Sequence, residues 1–127
     1  MYRLYQKYDP EDFQAKIRFL TLEEGGQRQY PNGIRFDFQY VDDLENAYMI
    51  HPDFFDSNGN SFSAEEMLPL NKWFNARMYI IVPEIRETVH RFRIKEGVKF
   101  YCCDGKPIAE GIVTRLVRLA AMKDMHK

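Results

Sequence analysis

Ala76-Arg77-Met78-Tyr79-Ile80-Ile81-Val82-Pro83-Glu84 opens the stretch whose reading decides the fold. It continues through Ile94-Lys95-Glu96-Gly97-Val98-Lys99-Phe100-Tyr101-Cys102-Cys103-Asp104-Gly105 and closes with Pro107-Ile108-Ala109-Glu110-Gly111-Ile112-Val113-Thr114-Arg115-Leu116-Val117. Successive side chains of a strand point to opposite faces, so a strand buried on one side alternates apolar with polar. Ala76, Met78, Ile80 and Val82 share one parity, with Arg77 and Tyr79 on the other. Val98, Phe100 and Cys102 line one face, and Lys99, Tyr101 and Cys103 the opposite one. Asp104-Gly105 stands where a tight reversal is needed, and glycine enters positive φ there without steric cost. Three strands joined by turns are the expectation for Ala76–Leu119, and they contain no catalytic set.

The same alternation appears earlier in the chain. Phe13, Ala15, Ile17 and Phe19 fall on one face, opposite Gln14, Lys16 and Arg18. Glu23-Glu24-Gly25-Gly26 ends that run, and Pro31-Asn32-Gly33 marks a further turn. Ile34, Phe36, Phe38 and Tyr40 then point inward, with Arg35, Asp37 and Gln39 outward. Asp42-Asp43 reads as a turn and Asn46–Ile50 as a short strand. His51–Asn71 is the least regular segment, with Ser57-Asn58-Gly59-Asn60 as a loop apex. Ala64–Leu68 suits one helical turn, with Ser63 as N-cap and Glu66 at the capping-box position. The tail after Leu119 reads as a short helix or a frayed end. Six short strands joined by Gly, Pro and Asn turns predict an all-β fold, one closed six-stranded antiparallel barrel spanning residues 1–127.

Composition agrees with that class. The 127 residues are 45% hydrophobic and 15% aromatic, which argues against disorder. Ten Phe and eight Tyr favour pleated surfaces, where flat side chains pack well. The net charge of −1 gives no bulk drive toward nucleic acid. No run approaches the roughly 20 apolar residues of a membrane helix, and no signal-peptide pattern opens the chain. Cys102 and Cys103 are adjacent and would point to opposite faces of a strand, so they read as reduced thiols of a cytoplasmic protein.

Candidate chemistry is sparse. His51, His90 and His126 are far apart and lack metal-ligand spacing. His51-Pro52-Asp53 is the tripeptide of J-domain co-chaperones, but strand patterns precede it here, so it reads as a turn. With Gly59 at the sixth position of a calcium loop, Glu65 is twelfth, yet Phe54 stands where the first acidic ligand belongs. No nucleotide, metal or other cofactor is expected. Lys95, Lys99, Lys106, Arg115 and Arg118, with Lys123 and Lys127, form a candidate basic edge for phosphate contacts. Trp73-Phe74 and Phe54-Phe55 are either partner anchors or core.

Phe19-Leu20-Thr21-Leu22-Glu23-Glu24-Gly25-Gly26 with Arg28, then Gly33-Ile34-Arg35-Phe36-Asp37-Phe38, resemble the opening of the C-terminal β-barrel domain of elongation factor Tu. Gly97-Val98-Lys99-Phe100, Asp104-Gly105 and Ile108–Val113 are similar to that family's closing hairpin. The resemblance runs collinearly over roughly residues 12–118, with a diverged loop at 51–71. It implies a six-stranded antiparallel barrel that binds other macromolecules. Glu24, Gly25, Gly26, Arg28, Asp104, Gly105, Lys106 and Arg115 are the binding residues it suggests. In the family this barrel packs on a GTPase domain and touches the tRNA backbone. GTP binding is not expected of these residues. The first expectation is a non-enzymatic protein-binding module, translation-associated or of an immunity or regulatory kind. The alternative is an RNA-binding accessory protein, and an enzyme with its site scattered over loops comes third.

Overall fold

The computed structural model describes residues 1–124. Six strands close an antiparallel barrel: β1 (Phe13–Phe19), β3 (Phe36–Tyr40), β4 (Tyr48–Phe55), β6 (Trp73–Ile80), β7 (Lys99–Cys103) and β8 (Pro107–Leu116). They follow one another around the wall in the order β1-β6-β4-β3-β7-β8, and β8 pairs back onto β1. Two short strands, β2 (Tyr30–Pro31) and β5 (Met67–Leu68), pair outside the barrel.

The alternation seen in the sequence is the alternation of burial. Phe13, Ala15, Ile17 and Phe19 are buried in β1, and Phe36, Phe38 and Tyr40 in β3. Phe100 and Cys102 do the same in β7. Phe38 and Phe100, diagonal neighbours on the adjacent strands β3 and β7, stack inside the barrel at 4.6 Å between ring centres. Gly111 lies directly opposite Phe100, and its missing side chain makes room for that ring. A Cβ at Gly111 would sit 2.3 Å from Phe100 Cζ.

Both barrel mouths are plugged. At the upper one, where β1 ends, Tyr30 and Leu68 of the β2–β5 pair are buried, and Tyr30 packs on Phe19 and Phe36. At the lower one, residues 83–93 form a helical segment: a turn of α-helix, α1 (Pro83–Ile85), a π-helical stretch, Arg86–His90, and another turn, α2 (Arg91–Arg93). Pro83 starts it with a preset φ and no N–H to orphan. His90 points into the mouth, fully buried against Phe38, Tyr40 and Tyr48. A last helix, α3 (Arg118–Asp124), returns alongside, with Leu119 buried.

Three expectations are corrected. His51-Pro52-Asp53 is not a turn but the middle of β4, which is eight residues long. Proline fits there because the β3 partner ends opposite Ile50, so the nitrogen of Pro52 faces no ladder on that side. Phe54, of the same parity, sends its N–H away from β6 to Asn32 Oδ1 at 2.9 Å. The irregular segment therefore starts at Asp56 rather than His51, and Asp56 Oδ1 ties its apex by accepting from the N–H groups of Asn58 and Asn60. Ala64–Leu68 is not a helical turn. Ser63 Oγ accepts from Glu65 N–H to close a simple turn, and Met67–Leu68 is strand β5. Tertiary pairing with Tyr30–Pro31 overrides the local capping pattern.

Candidate functional site

The upper rim gathers most of the suggested binding residues. Arg18, on the outer face of β1, donates to both oxygens of Glu24 at 2.8 Å and to Asn71 Oδ1 at 2.8 Å. It also lies 3.4 Å from Glu110 on β8. The hydrogen bonds from Arg18, with one from Thr21 N–H, hold the Glu24 carboxyl down at about 2. Glu24 thus folds the 20–26 loop back onto β1. Gly26 is required there, because a Cβ would meet the Leu20 carbonyl oxygen at 2.3 Å. Gly25 and Gly105 both take positive φ, as turn residues.

The β7–β8 turn meets the same loop. Tyr30 hydroxyl donates to Asp104 Oδ2 at 2.7 Å, and Gln27 donates to the Asp104 carbonyl at 3.3 Å. Burial and the bond to Asp104 raise the Tyr30 phenol. Arg28 lies over the Tyr30 ring at 4.4 Å. Glu24, Gly25, Gly26, Arg28, Asp104, Gly105 and Lys106 therefore share one end of the barrel. Arg115 does not. It sits near the other end of β8, opposite Gln14, roughly 30 Å of extended strand from Lys106. The candidate basic edge is thus split between the two ends.

Exposed apolar side chains complete the rim. Trp73, first residue of β6, is 47% exposed and directly opposite Arg18. Leu22 in the 20–26 loop and Met67 in β5 are also exposed. Pairing places Trp73, Arg18, Glu110, Tyr101 and Gln39 in one row across five strands on the outer face. Of the four aromatics Phe54 and Phe74 are core, Phe55 is half-buried beneath Arg77, and Trp73 alone is exposed.

A second feature lies on the outer wall and was not legible in the sequence. Residues 1–12 fold back over β4 and β6, burying side chains that point outward from the barrel. Arg3 grips Asp9 with two bonds of 2.7 and 2.8 Å, and Tyr79 hydroxyl donates to Asp9 at 2.5 Å. Burial pushes the Asp9 carboxyl up, but the bonds from Arg3 and Tyr79 outweigh it and hold it below its usual range. Tyr5 hydroxyl lies 2.9 Å from His51 Nδ1, and burial lowers the His51 pKa. Between this segment, the lower end of β6 and α1 opens a groove of about 660 Å³.

The remaining candidates for chemistry are quiet. Burial raises both thiols, Cys103 to about 11 with help from Asp37. Burial also pushes His90 down to about 4, and its Nδ1 lies 2.6 Å from the Tyr40 hydroxyl. Among the described residues no cluster of His, Cys, Asp and Glu is placed to hold a metal ion, and no helix is long and apolar enough to cross a membrane. His126 and Lys127 lie outside the described residues. No protein-family model matches the chain, and neither does any curated protein.

Proposed function

We propose that the chain is a non-enzymatic protein-binding module of the elongation factor Tu C-terminal barrel kind, docking its partner on the upper rim. The observation that carries this reading is the pair Trp73–Arg18. Trp73 is half exposed on a rigid strand, and Arg18 beside it is locked by Glu24, Glu110 and Asn71. Interface energy concentrates on tryptophan, arginine and tyrosine that are already fixed in place, because little side-chain entropy remains to be lost. The closed barrel, the Glu24 loop and the Asp104–Gly105 hairpin sit together at this end, in keeping with the resemblance. A role in translation, or in immunity or regulation directed at the factor's partners, follows from it as the pathway to test.

Protein contact fits the rim better than RNA does. Phosphate recognition draws on clustered, uncommitted Lys and Arg. Here Arg18 is saturated by carboxylates, and Lys106 and Arg115 stand at opposite ends of β8. The groups that would serve acid–base or nucleophilic chemistry are engaged too: Asp9 with Arg3, Asp12 with Arg86, and His90 buried beside Tyr40.

The test is affinity capture with the wild type, a Trp73→Ala/Leu22→Ser variant and Lys106→Glu. One stoichiometric protein held by the wild type and by Lys106→Glu, and lost from the rim variant, is expected. Salt-sensitive RNA retention that falls with Lys106→Glu would favour the RNA-binding alternative.

A further inference from the structure

The groove under the N-terminal segment has an unusual balance of hydrogen-bonding groups. Its two carboxylates are already occupied, as are several of its carbonyls. Both oxygens of Asp9 are taken by Arg3, and Oδ1 also by Tyr79. Asp12 Oδ1 accepts from Arg86 Nε at 2.6 Å, and Oδ2 from Ile80 N–H at 2.7 Å. The carbonyls of Tyr8 and Pro10 accept from Arg118, that of Ile80 from Arg86, and that of Asp12 from Val117 and Leu119.

Its donors are not all used. Lys7 is exposed, forms no ion pair among the described residues, and rests 5.1 Å from the centre of the Tyr8 ring. Arg118 Nε is buried, pairs with Asp12 Oδ1 at 3.5 Å, and makes no hydrogen bond among the described residues. The cations Lys7, Arg86 and Arg118 outnumber the two acids of the lining, and both acids are neutralised from within. Ile80, Ile81 and Pro83 supply an apolar wall, and tyrosine rings supply the rest. A volume near 660 Å³ falls in the range of sites that enclose a small molecule.

The geometry points to a binding site for a small amphipathic anion: a carboxylate or sulfonate directed at Lys7 and Arg118, with its apolar body against Ile80 and Pro83. A cationic ligand would be repelled by Lys7, Arg86 and Arg118, and both lining carboxylates are already held by guanidinium groups. A purely apolar one would cover the Lys7 ammonium without offering it a counter-charge, which is costly. The site is separate from the upper rim, and its ligand does not depend on what the rim binds.

Titration with the fluorescent aryl sulfonate anilinonaphthalene sulfonate tests this, with decanoate, decanol and decylamine as competitors. One saturable site per chain is expected, displaced by decanoate and far less well by the alcohol or the amine. Lys7→Glu reverses a surface charge without touching any internal bond, so the fold should survive, as circular dichroism would check. Reversing that charge should weaken the sulfonate by roughly tenfold or more. Trp73→Ala, at the other end of the barrel, should leave it unchanged. Absence of saturable binding, displacement by decanol equal to that by decanoate, or indifference to Lys7→Glu would each overturn the assignment.

Discussion

Arg77 Nη1 lies 3.2 Å from Asp53 Oδ2 on the outer face of the barrel, where both side chains are nonetheless buried. The N-terminal segment and the 56–61 loop cover them. Asp53 also accepts from Ser61 Oγ at 2.7 Å and Asn32 Nδ2 at 2.9 Å, and Arg77 donates to the Gly59 carbonyl and lies over the Phe55 ring. Removing one partner strands the other charge in a buried site. Asp53→Ala and Arg77→Ala should each cost about 3–5 kcal/mol in urea unfolding. The double variant should cost clearly less than the sum, because no lone charge is left.

Gly111 and Phe100 depend on each other across the β7–β8 pair. Gly111→Ala forces the Phe100 ring out of a packed interior and should destabilise by about 1–3 kcal/mol. Adding Phe100→Leu to Gly111→Ala should recover part of that loss. Thermal unfolding of the single and double variants checks this, and a double variant no better than Gly111→Ala would contradict the assigned contact.

His90 should make stability fall in mild acid. Its pKa drops from about 6.5 in the unfolded chain to about 4 in the buried plug, chiefly through burial, with Arg93 and Arg86 adding to it. Between those values the unfolded state binds a proton that the folded state does not. Stability is therefore full above pH 6.5 and declines toward pH 4, by about 3 kcal/mol for a shift of this size. His90→Gln, which keeps an acceptor for Tyr40, should flatten the slope in that window. Chemical denaturation at several pH values measures it.

Cys102 and Cys103 should resist thiol reagents in the native state. Cys102 lies in the barrel interior, and Cys103 is buried on the outer face near Gln39. Both thiols are raised by burial, so little thiolate exists at neutral pH. Ellman's reagent should count two thiols in denaturant and react only at the rate of opening without it.

Most of the barrel could be read from alternation alone, because β1, β3, β6 and β7 each keep their apolar parity on the inner face. The Asn46–Ile50 strand found the start of β4, but its second half escaped because Pro52 and Asp53 are turn residues by type. Their place in a strand depends on where β3 ends and on Arg77, neither of which lies near them in sequence. The β2–β5 pair is two residues per strand, too short to carry a period. The Glu24 loop and the Asp104 turn were legible as turns, and their meeting through Tyr30 and Gln27 was not. The groove left no trace at all, since it exists only once residues 1–12 fold back over β6.

Trp73 is the sole tryptophan of the chain, so its fluorescence reports directly on the upper rim. The decisive measurement is its emission during titration with the protein recovered by affinity capture, in low and high salt. A saturable blue shift that persists in salt is predicted, as the half-exposed indole enters a dry interface. The Trp73→Phe variant should bind that protein more weakly by calorimetry. An unchanged Trp73 spectrum at saturation, with Trp73→Phe binding as well as the wild type, would contradict the rim as the docking surface.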